Sequence, residues 1–199
     1  MTNHVLTLYH APLSSSCHSV LIMLSLLGIT CKRVEIDIDS GTSQSSAYSA
    51  LKAFWRGPVI DDDGVVISSS NAILIYLGRK YGGEQWCPSD PVGSAAIQRW
   101  LSTAAGQLFH AAGDTGVALL RTGLDAEQAT QRYEGFLDLL NSELTSRHFL
   151  VKGIPTVADI AMYTFVSSAT KVNIALGGYP HILSWLEKIR ALPGFVNVD

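Results

Sequence analysis

VLTLYHAPLSSSCHSVLIMLSLLG, residues 5–28, runs from strand to helix through three hydroxyls and a thiol. Val5-Leu6-Thr7-Leu8-Tyr9 carries the β-branched and aromatic residues of a strand. Val20, Met23, Leu24 and Leu27 then recur at i, i+3, i+4 and i+7, one face of a helix, and Gly28 supplies a left-handed stop. Ser14-Ser15-Ser16-Cys17 therefore lies in the turn that opens the helix. Backbone N–H groups are unpaired there and the helix dipole favours negative charge. Two readings fit this stretch. In one, the serines cap the helix and Cys17 is a small packing residue. In the other, the turn holds an anion, and a thiolate is one.

Outward from this stretch, the totals describe a folded protein. The chain has 199 residues, 47% of them hydrophobic and 16% charged, with a formal net charge of -3. That is long enough for one large domain or two small ones, and the charge gives no reason to expect nucleic acid or an anionic membrane. No apolar run has transmembrane length, and Met1-Thr2-Asn3-His4 is not a basic leader, so cytoplasm is the expected location. Cys17, Cys31 and Cys87 are odd in number and widely spaced, which suits a reducing compartment better than a disulfide framework. The six histidines are scattered, so no metal site is expected.

After Gly28, Val34, Ile36 and Ile38 alternate with charged residues and predict a strand with one wet face, parallel to the first. Asp39 to Lys52 reads as a Ser/Gly/Thr-rich loop. Pro58-Val59-Ile60-Asp61 and Val65-Val66-Ile67 flank a turn at Asp62-Asp63-Gly64, a hairpin signal. Ser68-Ser69-Ser70-Asn71 is expected to cap a helix with apolar face Ile73, Leu74, Leu77 and Tyr81. The N-terminal part is thus βαβ-ββα, a thioredoxin-like α/β domain with a mixed four-stranded sheet.

Beyond the expected linker the strand pattern stops. Ile97, Trp100, Leu101, Ala104, Leu108 and Ala111 predict a helix to about Leu120, weakened by Gly106, Gly113 and Gly116. A second helix carries Tyr133, Phe136, Leu137, Leu140 and Leu144. Thr156-Val157-Ala158-Asp159 matches a capping box before a helix apolar nearly all round, so Asp159 is expected to be structural. Ile182, Trp185, Leu186 and Ile189 mark a last helix stopped at Pro193-Gly194. The expected layout is residues 1–82 as the thioredoxin-like domain, 83–91 as linker, and 92–199 as an all-α helical bundle.

This order resembles the glutathione transferase family of the cytosolic type. Three stretches carry the resemblance: Pro58-Val59-Ile60 through Ser70-Asn71-Ala72-Ile73-Leu74, Thr156 through Ala161, and Tyr179-Pro180-His181 through Phe195. The Ser-Ser pattern is similar to the serine-type members and to their zeta-type branch. The resemblance implies glutathione as co-substrate, no metal, a small apolar electrophile as second substrate, a role in detoxification and a homodimer. Ser14 and Ser15 are then the catalytic pair, with Ser14 hydrogen-bonding the glutathione sulfur. Ser16, Gln44, Arg56, Gly57, Pro58, Ser69 and Ser70 would bind glutathione, Gly57 by its backbone before a cis-proline and Ser70 at the γ-glutamyl carboxylate. Leu13, Trp100, Ala104, Leu108, Phe109 and Ala112 would wall the second-substrate pocket.

Three positions depart from the family's common pattern: Ser69, where an acidic or amide residue is usual, Gly57, and the Leu51-Lys52-Ala53-Phe54-Trp55 segment. The leading expectation is a glutathione-dependent transferase or isomerase. A non-catalytic binding module and a thiol-disulfide reductase using Cys17 are the alternatives.

Overall fold

The computed structural model describes residues 5–11, 14–36, 57–108, 126–169 and 174–197. β1 (Leu6–His10) turns Leu6 and Leu8 inward. α1 (Ser15–Leu26) comes next and buries Leu21 and Ile22 as well as the expected Val20, Met23 and Leu24. A helix buried on so many sides belongs between layers, and α1 indeed packs against helices from both halves of the chain. It closes at Gly28 (φ 66), where the Ile29 N–H donates to Leu24 O at 2.9 Å and the Gly28 N–H to Ser25 O at 3.0 Å.

β2 (Cys31–Glu35) pairs parallel with β1, Leu6 opposite Cys31 and His10 opposite Glu35. β3 (Val59–Asp62) pairs antiparallel with β1, and β4 (Val65–Ser68) antiparallel with β3. The sheet order is β2-β1-β3-β4, the mixed four-stranded sheet expected from the sequence. The hairpin turn is narrower than expected. Asp63 (φ 58) and Gly64 (φ 84) alone make it, with both central residues left-handed as a two-residue hairpin requires. Asp62 instead ends β3 opposite Val65 and is fully buried. Its Oδ2 accepts hydrogen bonds from Tyr76 Oη, Lys80 Nζ and Tyr81 Oη, each at 2.7 Å. These donors make burial of the carboxylate tolerable.

α2 (Ser70–Leu77) buries Ile73, Leu74 and Leu77. A π-helical turn, Gly78–Gly82, continues it. The wider π turn rotates the apolar face, so Tyr81, expected in the core with Leu77, is 40% exposed and anchored by its hydroxyl to Asp62. A short α3 (Gly83–Trp86) then leads to α4 (Pro91–Thr103), whose cap residue Asp90 accepts the Gly93 N–H at 3.0 Å.

The sequence reads α4 as one helix to about Leu120. The α-helix instead ends at Thr103 and becomes a π-helical turn at Ala104–Leu108, around the helix-weakening Gly106. The rest of that expected helix, from residue 109 onward, lies outside the described residues. α5 (Ala126–Glu143), α6 (Val157–Ser167) and α7 (Pro180–Arg190) complete the helical half.

Every residue of α6 from Val157 to Val166 is buried, as its all-round apolar pattern predicts. The capping box is formed from both sides at Thr156 and Asp159. Asp159 Oδ2 accepts from Thr156 N at 2.9 Å and Thr156 Oγ1 at 3.0 Å. Oδ1 accepts from Leu150 N and Trp185 Nε1, both at 2.9 Å. One carboxylate thus joins the start of α6, the segment before it and α7. Burial pushes its pKa from 3.8 up to about 6, against the lowering effect of its hydrogen bonds.

Candidate functional site

Two helix N-termini shape the site. Ser14 occupies the cap position of α1 and its carbonyl takes the His18 N–H at 2.9 Å. Ser69 occupies the cap position of α2 and its carbonyl takes the Ile73 N–H at 2.9 Å. Neither serine side chain bonds back to its helix. The sequence predicts that the Ser68–Asn71 run caps α2, and the structure departs from that. Ser69 has φ 76, outside the extended backbone that lets a cap hydroxyl reach the first-turn N–H groups. Such a conformation in a residue other than glycine costs about 1–3 kcal/mol and is characteristic of functional sites. Both helices therefore begin with N–H groups that have no intrahelical partner and a dipole that favours an anion.

A cavity of about 200 Å³ lies where the two helix starts meet the C-terminal half. Ser16, Gly57, Ser69, Ser70 and Asn71 line it from the N-terminal half, and Ala104, Ala105 and Phe165 from the other. Among the described residues that line it none is ionisable, and hydroxyls, an amide and main chain supply their polarity. The cavity thus brings together five of the residues singled out in the sequence: Ser16, Gly57, Ser69, Ser70 and Ala104.

Other expected site residues fall elsewhere. Ser14 and Ser15 stand beside Ser16, half-buried at the start of α1, without lining the cavity. Pro58 is buried behind Gly57 and begins the approach to β3. The Gly57–Pro58 bond is trans, contrary to the cis bond the resemblance implies. The chain instead changes direction at Gly57, whose φ of 132 is open to glycine and not to L side chains. Trp100 does not line this cavity. It is buried in the core with the Arg99 guanidinium 4.6 Å from its ring, and its Nε1 finds no hydrogen-bond partner among the described residues. Leu108 is described by its backbone alone, within the π turn. Leu13, Gln44, Arg56, Phe109 and Ala112 lie outside the described residues.

Asn71 and Phe165 are cavity residues that sequence reasoning missed. Asn71 reads as part of a capping run and Phe165 as bundle core, and neither local pattern signals a ligand. Cys17 is 2% exposed. Its thiol is in no disulfide, and its burial limits access from solvent. Among the described residues no three His, Cys, Asp or Glu side chains gather into a metal-binding group, and no helix is long and apolar enough to cross a membrane.

Comparison with known proteins agrees with the fold, a thioredoxin-like half followed by a helical one. Residues 8–85 match the family of glutathione S-transferase N-terminal domains, and residues 124–193 match the corresponding C-terminal domains. Glutathione S-transferase 2 of Anopheles gambiae is 26% identical over 96% of this chain and 93% of its own length. The crystal structure of a glutathione S-transferase from Pseudomonas fluorescens superposes with a TM-score of 0.83 at 26% identity, covering 97% of this chain and 98% of that one. A delta-class glutathione transferase of Nilaparvata lugens gives a TM-score of 0.83 at 28% identity, over 95% of this chain and 90% of its own.

Proposed function

We propose, since this chain belongs to the glutathione S-transferase family, that it is an enzyme joining the thiol of glutathione to a small apolar electrophile. The observation that carries the proposal is the convergence of two helix N-termini, neither capped by its serine side chain, on one cavity. A tripeptide with an acidic thiol at one point and a carboxylate at another suits such a pair of anion-favouring ends.

In this reading the sulfur sits at the start of α1. A thiol is a poor nucleophile until it loses its proton. The Ser14 hydroxyl, free of the helix cap, donates to the sulfur, and the dipole of α1 stabilises the same charge. The proton leaves to solvent, the thiolate attacks an electrophilic carbon, and a C–S bond forms. The displaced electron pair leaves with the departing group, or moves into the electrophile where addition replaces substitution. In an isomerisation the same C–S bond would form and break again. Ser70 holds the γ-glutamyl carboxylate at the start of α2, and the Gly57 main chain pairs with the cysteinyl part. Ala104, Ala105 and Phe165 offer the electrophile an apolar side. A homodimer and a role in detoxification are typical of the family, and we extend both to this chain together with the serine-type, zeta-like assignment.

The test is retention on immobilised glutathione together with thiol addition to a chloronitroarene. Retention, with activity that collapses in Ser14→Ala, is the expected result. Failure of the wild-type protein to bind glutathione would overturn the proposal, and full activity in Ser14→Ala would remove Ser14 from it.

A further inference from the structure

Asn71 does something its position in a serine-rich helix start does not announce. Its Nδ2 donates to the Leu101 carbonyl at 2.8 Å, joining the first turn of α2 to the last turn of α4. A backbone carbonyl only accepts, so this bond fixes which end of the amide faces α4. Leu101 lies one turn before Ala104 and Ala105, which line the cavity opposite Ser70. Within that turn the helix changes from α to π geometry. In a π turn the N–H groups reach back five residues instead of four. The Ala104 N–H still reaches back to Trp100 O and Leu101 O, so the Leu101 carbonyl that takes the Asn71 amide is also bonded to the first residue of the π turn.

We propose that Asn71 is a positioning residue that sets how large an electrophile the site accepts. One side chain ties the wall bearing Ser70 to the wall bearing Ala104 and Ala105. The separation of those walls is the width through which the second substrate reaches a sulfur held at the start of α1. With the bond intact the opening is narrow and selects compact electrophiles over bulky ones. Asn71 does this through Leu101 rather than by touching the reacting atoms. This inference rests on the function proposed above.

The experiment compares wild type, Asn71→Ala and Asn71→Asp. The aspartate has nearly the same shape but is ionised at neutral pH and cannot donate to a carbonyl. The measured quantity is the ratio of kcat/KM for a polycyclic arene epoxide to that for a small chloronitroarene, at saturating glutathione. Both variants are expected to raise the ratio about fivefold or more. Amide exchange at residues 104–108 is expected to accelerate in both variants, and saturating glutathione keeps any change in its affinity out of the ratio. A ratio unchanged within about twofold, or Asn71→Asp behaving as wild type, overturns the proposal. Ala105→Leu, at an exposed position across the cavity, narrows the opening without touching the tether and is expected to lower the ratio. An unchanged ratio there also overturns it, even if the Asn71 variants fail to fold. Wild-type protein that binds no glutathione would instead defeat the function proposed above, and the exchange of residues 104–108 would still report on the tether.

Discussion

Ser16 of α1 and Ser70 of α2 line the same cavity, each in the first turn of its helix. The four-stranded sheet brings them together, because β1 delivers the chain into α1 while its antiparallel neighbour β3 leads through β4 into α2. Both helices therefore present their positive ends to one volume.

The first prediction concerns which hydroxyl serves the sulfur. A hydrogen bond to a charged group contributes about 1.5–3 kcal/mol, so losing it costs on the order of 10- to 100-fold. Ser14→Ala is expected to lose activity in that range and to move the pH–rate profile upward, because the bound thiol then ionises later. Ser16→Ala is expected to weaken glutathione binding with a smaller effect on the profile. The reverse ranking would give Ser16, which lines the cavity, the role assigned to Ser14.

Asp159 and Trp185 supply a stability prediction. The buried carboxyl titrates near 6 in the folded chain against an ordinary value of 3.8. The folded state therefore holds the proton more tightly than the unfolded one. Its contribution to stability is fully present below about 3.8 and is lost as pH rises through about 6. Asp159→Asn should remove this component, so the difference in urea midpoint between wild type and variant changes across pH 4–6 and flattens above it. The variant should also be less stable throughout, by about 2 kcal/mol or more. An amide turns an N–H group toward donors that now meet a carboxylate oxygen. Surface acids act oppositely: hydrogen bonds hold Glu84 and Asp90 below their ordinary values. The wild-type/variant difference, not the wild-type curve, is the measurement that isolates Asp159.

Much of this architecture was legible in the residues. Periodicity located β1, α1 and the hairpin, and the Thr156–Asp159 box located the start of α6, because each is a local pattern with a local cause. The departures share a different origin. Tyr81 left the core and α4 stopped at Thr103 because π-helical turns add a residue that a 3.6-residue template does not contain. Asp62 moved from the turn into the strand because Tyr76, Lys80 and Tyr81, distant in sequence, satisfy its carboxylate. At the site, Ser16 and Ser70 could be picked out as helix-start hydroxyls. Asn71 could not, since its partner is a carbonyl thirty residues away.

Gly78 tests the joint between the two halves. A Cβ there would stand 2.7 Å from Val157 Cγ1 and 3.2 Å from Cys87 Cβ, at the start of the buried α6. Overpacking of a core typically costs about 1–3 kcal/mol. Gly78→Ala is expected to lose stability in that range in a urea titration. Adding Val157→Ala removes the methyl that clashes, so the double variant should be more stable than the sum of the two single losses. Simple additivity would show that the close approach relaxes in another way.

The central claim is that glutathione lies across the two helix starts with its γ-glutamyl carboxylate at Ser70. Calorimetric titration of glutathione into wild type and Ser70→Ala tests it most directly. Saturable binding to wild type, weakened about tenfold or more in Ser70→Ala, is the predicted result, since the lost hydrogen bond is to a charged group. Absence of binding to wild type, or equal affinity in the two proteins, would contradict it.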